Sequence, residues 1–221
     1  MSLRSMTWLT RFGITLAVTS TFACDARADD PERSDGWKTA TAITMVAGVA
    51  TTTLMPRIFY ADPETTAGWK ARWHVSVLAP TLANVSLALL NEHGLKDGIG
   101  GHRPGCDDTN QGQGRCQDYG SLSSHAFLAF SAFGQGTATF FTDTLKWSDG
   151  QFHVGAFVGN VAFPLVLAGV TSVGRAAGNW ETTGTVVLSS GVGLITGALT
   201  GFTYAMLQRP ECGYTGSLIC W

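Results

Sequence analysis

Charge is what this 221-residue sequence has least of: Asp, Glu, Lys and Arg make up 14% of it, against roughly 25% in soluble domains. Neither sign dominates, with 16 acidic and 14 basic side chains and a net charge of −2. That removes the reason to expect a nucleic-acid partner, which calls for a strongly basic face. Cysteine is sparse too: Cys24, Cys106, Cys116, Cys212 and Cys220 are the five present. A zinc site using Cys106, Cys116 and His102 fits no usual ligand spacing. No metal and no cofactor is expected.

The missing charges are missing in blocks. Thr39–Pro56, Trp73–Asn91, Tyr119–Thr142, Gly150–Gly174 and Thr182–Gln208 contain none, over 18, 19, 24, 25 and 27 residues. About 20 mostly apolar residues cross a bilayer as a helix, so each run is long enough or nearly so. Thr, Ser and Gly are frequent in them and mean hydropathy is only +0.14, which leaves a soluble periplasmic bundle as the alternative. The last run carries Gly193, Gly197 and Gly201 every fourth residue, and Gly155 and Gly159 repeat the spacing. Such glycines cost about 1 kcal/mol each in a water-exposed helix but let helices approach closely in lipid. The expected fold is all-α, a membrane bundle of five to six helices.

Residues 1–28 read as a signal peptide or first transmembrane helix. Arg4 and Arg11 precede the apolar "FGITLAVTSTFA", and Ala26-Arg27-Ala28 fits a cleavage site. The helical domain then covers 29–208 and a tail covers 209–221. Export makes disulfides possible, and local pairing, Cys106 with Cys116 and Cys212 with Cys220, is one of three connectivities open to four cysteines. With the start of the domain outside the inner membrane, successive crossings bring residues 92–122 and Arg175–Glu181 to the same periplasmic face. Arg57, Lys70, Arg72 and Lys146 fall on the other side, in line with the positive-inside rule.

That shared face collects anion-binding chemistry. "KDGIGGHRP" (Lys96–Pro104) is expected as a glycine-rich loop that sets a lysine point charge beside an arginine fork, with Gly98, Gly100 and Gly101 admitting close backbone approach. "SLSSH" (Ser121–His125) opens the third run, where hydroxyls and free backbone N–H groups favour an anion. Ser123 or Ser124 as a plain helix cap is the simpler role. His125 in the first turn could protonate a leaving oxygen. "CDDTNQGQGRC" offers Asp108 and Asn110 as alternate calcium ligands but puts Tyr119 where the loop's last glutamate belongs, so a polar, disulfide-closed turn is expected.

In order along the chain these features resemble the type-2 phosphatidic acid phosphatase and haloperoxidase superfamily. Lys96, Arg103 and Pro104 match its Lys-x6-Arg-Pro motif. Ser123 and His125 match its Pro-Ser-Gly-His, with Leu122 and Ser124 at the other two positions, and Arg175 follows about fifty residues later. The resemblance implies a site facing the periplasm in which Lys96, Arg103, Ser123, Ser124 and Arg175 hold the phosphate of a phosphorylated lipid or other phosphate ester, with His125 as general acid.

The third motif departs. The family's pattern carries a nucleophilic histidine and an orienting aspartate, whereas "SVGRAAGNWETTG" puts Trp180 or Glu181 at the first position and Gly184 or Thr185 at the second. Indole offers only an N–H donor, and a glutamate nucleophile would have to approach an anion. Vanadate binding would need the same absent histidine. The expectations are therefore a membrane protein of phosphatase type that recognises a lipid phosphate or pyrophosphate with hydrolysis in doubt, a non-catalytic headgroup-binding member, or a soluble periplasmic acid-phosphatase-like protein.

Overall fold

In a computed structural model, which describes residues 33–60, 69–72, 77–110, 112, 113, 116, 117, 120 and 122–208, the chain is mostly helical. The expected signal segment, the tail and the pair Cys212–Cys220 lie outside the described residues. Helix α1 (Asp35–Leu54) starts at Ser34, whose hydroxyl accepts from Trp37 N. A two-stranded antiparallel ribbon follows, β1 (Arg57–Tyr60) on β2 (Trp69–Arg72), with Arg57 opposite Arg72. An all-α reading had no place for it. The four-residue strands are too short to leave a period in the sequence, and Pro56 ends α1 just before them.

Helix α2 (Leu78–Leu90) continues as a π turn, Asn91–Leu95, and a last turn, α3 (Lys96–Ile99). Helix α4 (Ser124–Thr142) likewise ends in a π turn, Asp143–Trp147. Helix α5 (Val154–Ala177) contains a third, Val158–Ala162, and α6 (Thr183–Leu207) closes the bundle. These five long helices overlap the five uncharged runs. Two of them, α5 and α6, are long and apolar enough to cross a membrane.

Helix α4 is the centre. Twelve of its residues are buried, among them Phe127, Phe133 and Phe140. It packs most closely on α6, because Gly193, Gly197 and Gly201 rest on the carbonyl oxygens of Phe127, Ser131 and Gln135, and Gly134 rests on that of Leu194. A Cβ at any of these positions would collide with backbone. The spacing of Gly155 and Gly159 has no such consequence: Gly159 abuts the flexible Met55 side chain, and Gly155 meets only His153.

Polar side chains join the helices from inside. Thr44 meets Thr171 at 2.8 Å (α1–α5), Thr53 meets Thr81 at 2.9 Å (α1–α2), and Asn84 donates to Gln135 and Thr200 at 3.1 Å each (α2–α4 and α2–α6). The outward faces are apolar instead, with Leu82, Val166, Ile195 and Leu199 all about 60% exposed (61, 60, 62 and 61%). Small and polar residues at the helix contacts, with large apolar side chains facing outward, suit helix packing in lipid.

Candidate anion-binding site

One end of the bundle gathers three nearly buried cations: Lys96 (5% exposed), Arg103 (8%) and Arg175 (5%). Burying unpaired charge is costly, so each must be held by local structure.

Lys96 is placed by the π turn. The extra residue per turn at Asn91–Leu95, a device frequent at functional sites, carries the helix into α3 with Lys96 inside. Four residues earlier, Glu92 meets it at 2.6 Å (Nζ to Oε2). The Ser124 hydroxyl donates to the same Glu92 oxygen at 2.6 Å and accepts from Asn91 Nδ2 at 2.9 Å. Glu92 is thus the hinge between the two motifs. Burial pushes its carboxyl up, but the bonds from Lys96 and Ser124 and the charges of Lys96 and Arg103 together hold it below the ordinary value. The sequence reading missed it. Its i,i+4 spacing from Lys96 was the available signal.

The expected loop at 96–104 is a correction in part: Lys96–Ile99 is helical, Gly98 included, and the loop begins at Gly100. Gly100 and Gly101 have φ of 71° and 100°, values that favour glycine. The close approach occurs at Gly120, where a Cβ would strike the His102–Arg103 backbone at 2.9 Å, while Gly120 N donates to Gly101 O at 3.0 Å. The Cys106–Cys116 disulfide, S–S 2.04 Å, closes the connection. Its sulfurs are spent, which removes the zinc alternative. Asp107 accepts from Thr109 and Asn110, which makes the expected polar turn. His102 points to exposed Asp108, 3.1 Å away.

Ser123 takes the simpler of its two roles. Fully buried, it caps α4 by accepting from Ala126 N at 3.3 Å, and its own N–H donates to Ser189 Oγ at 2.8 Å. His125, half-buried in the first turn of α4, has Arg175, Glu92, Lys96 and Arg103 all within electrostatic reach of its imidazole. The four residues that carry the resemblance therefore meet at one end.

Arg175 comes from the last turn of α5. Its carbonyl accepts from both Trp180 N and Glu181 N, and Asn179 turns the chain in the left-handed region at φ 56°. This reversal folds Glu181 back so that Arg175 Nη2 donates to its Oε1 at 2.9 Å, both side chains buried. Arg175 Nε and Glu181 Oε2 remain without a hydrogen-bond partner. Trp180 turns the other way: its Nε1–H donates to Ser34 O at 3.0 Å, and its ring lies 4.9 to 5.5 Å from Lys38, Arg33 and Arg175. Both third-motif replacements meet Arg175, Trp180 through its ring face and Glu181 through a carboxylate oxygen.

The opposite end holds a second buried charge pair that sequence reasoning did not single out. Arg57 Nε donates to Asp143 Oδ2 at 2.9 Å, its Nη2 bonds Asp143 Oδ1, and Nη1 donates to Gln208 Oε1 at 3.2 Å. A cleft there is lined by Gln135, Asn160 and His153 among others. His153 caps α5 by accepting from Ala156 N, a whole helix away from His125.

Comparison of the chain with known protein families, with curated proteins and with solved structures gives no match. The likeness in motif stands on Lys96–Pro104, Ser123–His125 and Arg175 alone.

Proposed function

We propose that this is a helical membrane protein that binds the phosphate group of a phosphorylated lipid or other phosphate ester without hydrolysing it. It is read as a non-catalytic relative of the type-2 phosphatidic acid phosphatases, placed in a bacterial inner membrane with the site facing the periplasm. The observation that carries the reading is the convergence of Lys96, Arg103 and Arg175, all under 10% exposed, around His125. Arg175 keeps one buried N–H with no partner. A buried donor left unmade costs about 1–3 kcal/mol, which an oxyanion at that spot would recover.

The same geometry speaks against ordinary phosphatase chemistry. Trp180 donates to Ser34 O and has no lone pair to offer, and His102, beside Arg103, meets exposed Asp108 at 3.1 Å. The membrane placement is supported by the two long apolar helices and by the outward apolar faces. A second reading, hydrolysis through a glutamyl phosphate on Glu181, is favoured only by the unpartnered Oε2.

Purified in neutral detergent, the chain is expected to gain thermal stability with added phosphate, by linkage. Lys96→Met and Arg103→Met should abolish the gain. Neither wild type nor His125→Ala should release phosphate from p-nitrophenyl phosphate or a lipid phosphate. Turnover in wild type that disappears in Glu181→Gln would replace this reading with the second.

A further inference from the structure

Glu181 is an odd residue to find in a phosphate cradle. It is 3% exposed, bonds one of the three cations, and leaves Oε2 with no partner. Among the described residues the charges that meet here are Lys96, Arg103 and Arg175 against Glu92 and Glu181. Cations outnumber the carboxylates. Lys38, on the Trp180 ring, is exposed and screened by solvent; Arg33, on the same ring, is partly exposed with its Nε buried, and adds a fourth cation at this end. Asp107 and Asp108 are exposed as well.

We infer that Glu181 makes this site a receptor for singly charged oxyanions, above all the phosphodiester of a phospholipid headgroup, in preference to doubly charged phosphomonoesters. The inference rests on the phosphate-binding reading above and narrows its ligand. A monoanion reaching Lys96, Arg103 and the open Nε edge of Arg175 meets cations there and leaves the Arg175–Glu181 pair intact. A dianion brings a second negative charge toward Glu181, in surroundings where like charges repel strongly. If it displaced Glu181 from Arg175, it would strand a buried carboxylate, the costly half of a broken buried pair. Phosphodiesters carry one charge throughout the ordinary pH range, whereas monoesters take their second near pH ~6.

The test compares dimethyl phosphate with methyl phosphate at about pH 8, where the monoester is a dianion, by calorimetry on the full chain in neutral detergent. Wild type should bind dimethyl phosphate at least about tenfold more tightly. Glu181→Gln should shrink that ratio about tenfold or reverse it, and Glu181→Asp should keep it. Should the Gln variant lose its helical circular dichroism, the wild-type ratio and the Asp variant decide. Equal or tighter methyl phosphate binding by wild type, or a ratio untouched in a folded Glu181→Gln, overturns the inference while the cradle stands. Binding of neither anion overturns both. Nanodiscs separate the sources: phosphatidylglycerol bound more tightly than dimethyl phosphate and than phosphatidate names a lipid headgroup, and parity with dimethyl phosphate names a free diester. Phosphatidate bound more tightly than phosphatidylglycerol overturns the inference.

Discussion

A single carboxylate decides how the two phosphate-type motifs hold together. Glu92 bonds Lys96 from the first and Ser124 from the second, and its pKa in the folded chain is lowered from 4.5, burial opposing and the Lys96 and Ser124 bonds prevailing. A carboxyl whose folded value is depressed stabilises above its unfolded value and loses that contribution as pH falls through the folded one. The apparent melting temperature of wild type should therefore drop relative to Glu92→Gln as pH is lowered from neutrality to below 4.5. The two curves should approach each other at the acid end. Parallel curves across that window would mean the bridge contributes nothing. Lys96, Arg103, His125 and Arg175 were legible as residue types at fixed spacing. Glu92 was not, because nothing in a single sequence distinguishes a bridging i,i+4 pair from the many solvated ones.

At the scale of elements, the same pattern of letters means different things according to what lies opposite. Glycines at four-residue spacing in α6 press on the backbone of α4, while Gly191, in the same helix, has nothing within 4 Å. Gly197→Ala must push α4 and α6 apart, an overpacking cost of about 1–3 kcal/mol. Gly191→Ala relieves backbone entropy and should be neutral or stabilising by up to about 1 kcal/mol. Denaturant unfolding of the two variants, monitored by Trp fluorescence, separates these effects; similar shifts in both would remove the close helix contact as a source of stability. The spacing announced the α4–α6 seam, yet the equally spaced Gly155 and Gly159 face only side chains. The π turns were invisible for a related reason. Inserting one residue changes which side chain points inward without changing composition, so Lys96 read as a loop residue although it closes a helix.

Within the described helices, two polar ends flank an apolar waist. The Asn91–Arg103 segment, Ser123–His125 and Arg175–Glu181 share one end, while Arg57, Asp143, His153 and Gln208 lie at the other, a division that the alternation of uncharged runs foreshadowed. The β1–β2 ribbon and the Arg57–Asp143 pair were not foreshadowed, because both depend on contacts between residues far apart in sequence. The proposed bilayer around the waist would account for Val166, Ile195 and Leu199 standing in the open on the outward faces of α5 and α6, and for helices sewn together by threonine and asparagine pairs. It also requires that the two ends see different compartments. Single cysteines at Thr109, beside the cation cluster, and at Asp149, in the turn after α4, report this in a chain whose Cys24, Cys212 and Cys220 are changed to Ser. In intact spheroplasts a membrane-impermeant maleimide should label Thr109→Cys and spare Asp149→Cys until the cells are lysed. Labelling of both before lysis rejects the bilayer crossing. The reverse pattern keeps the crossing but turns the proposed phosphate site to the cytoplasm, where a headgroup would have to come from the inner leaflet.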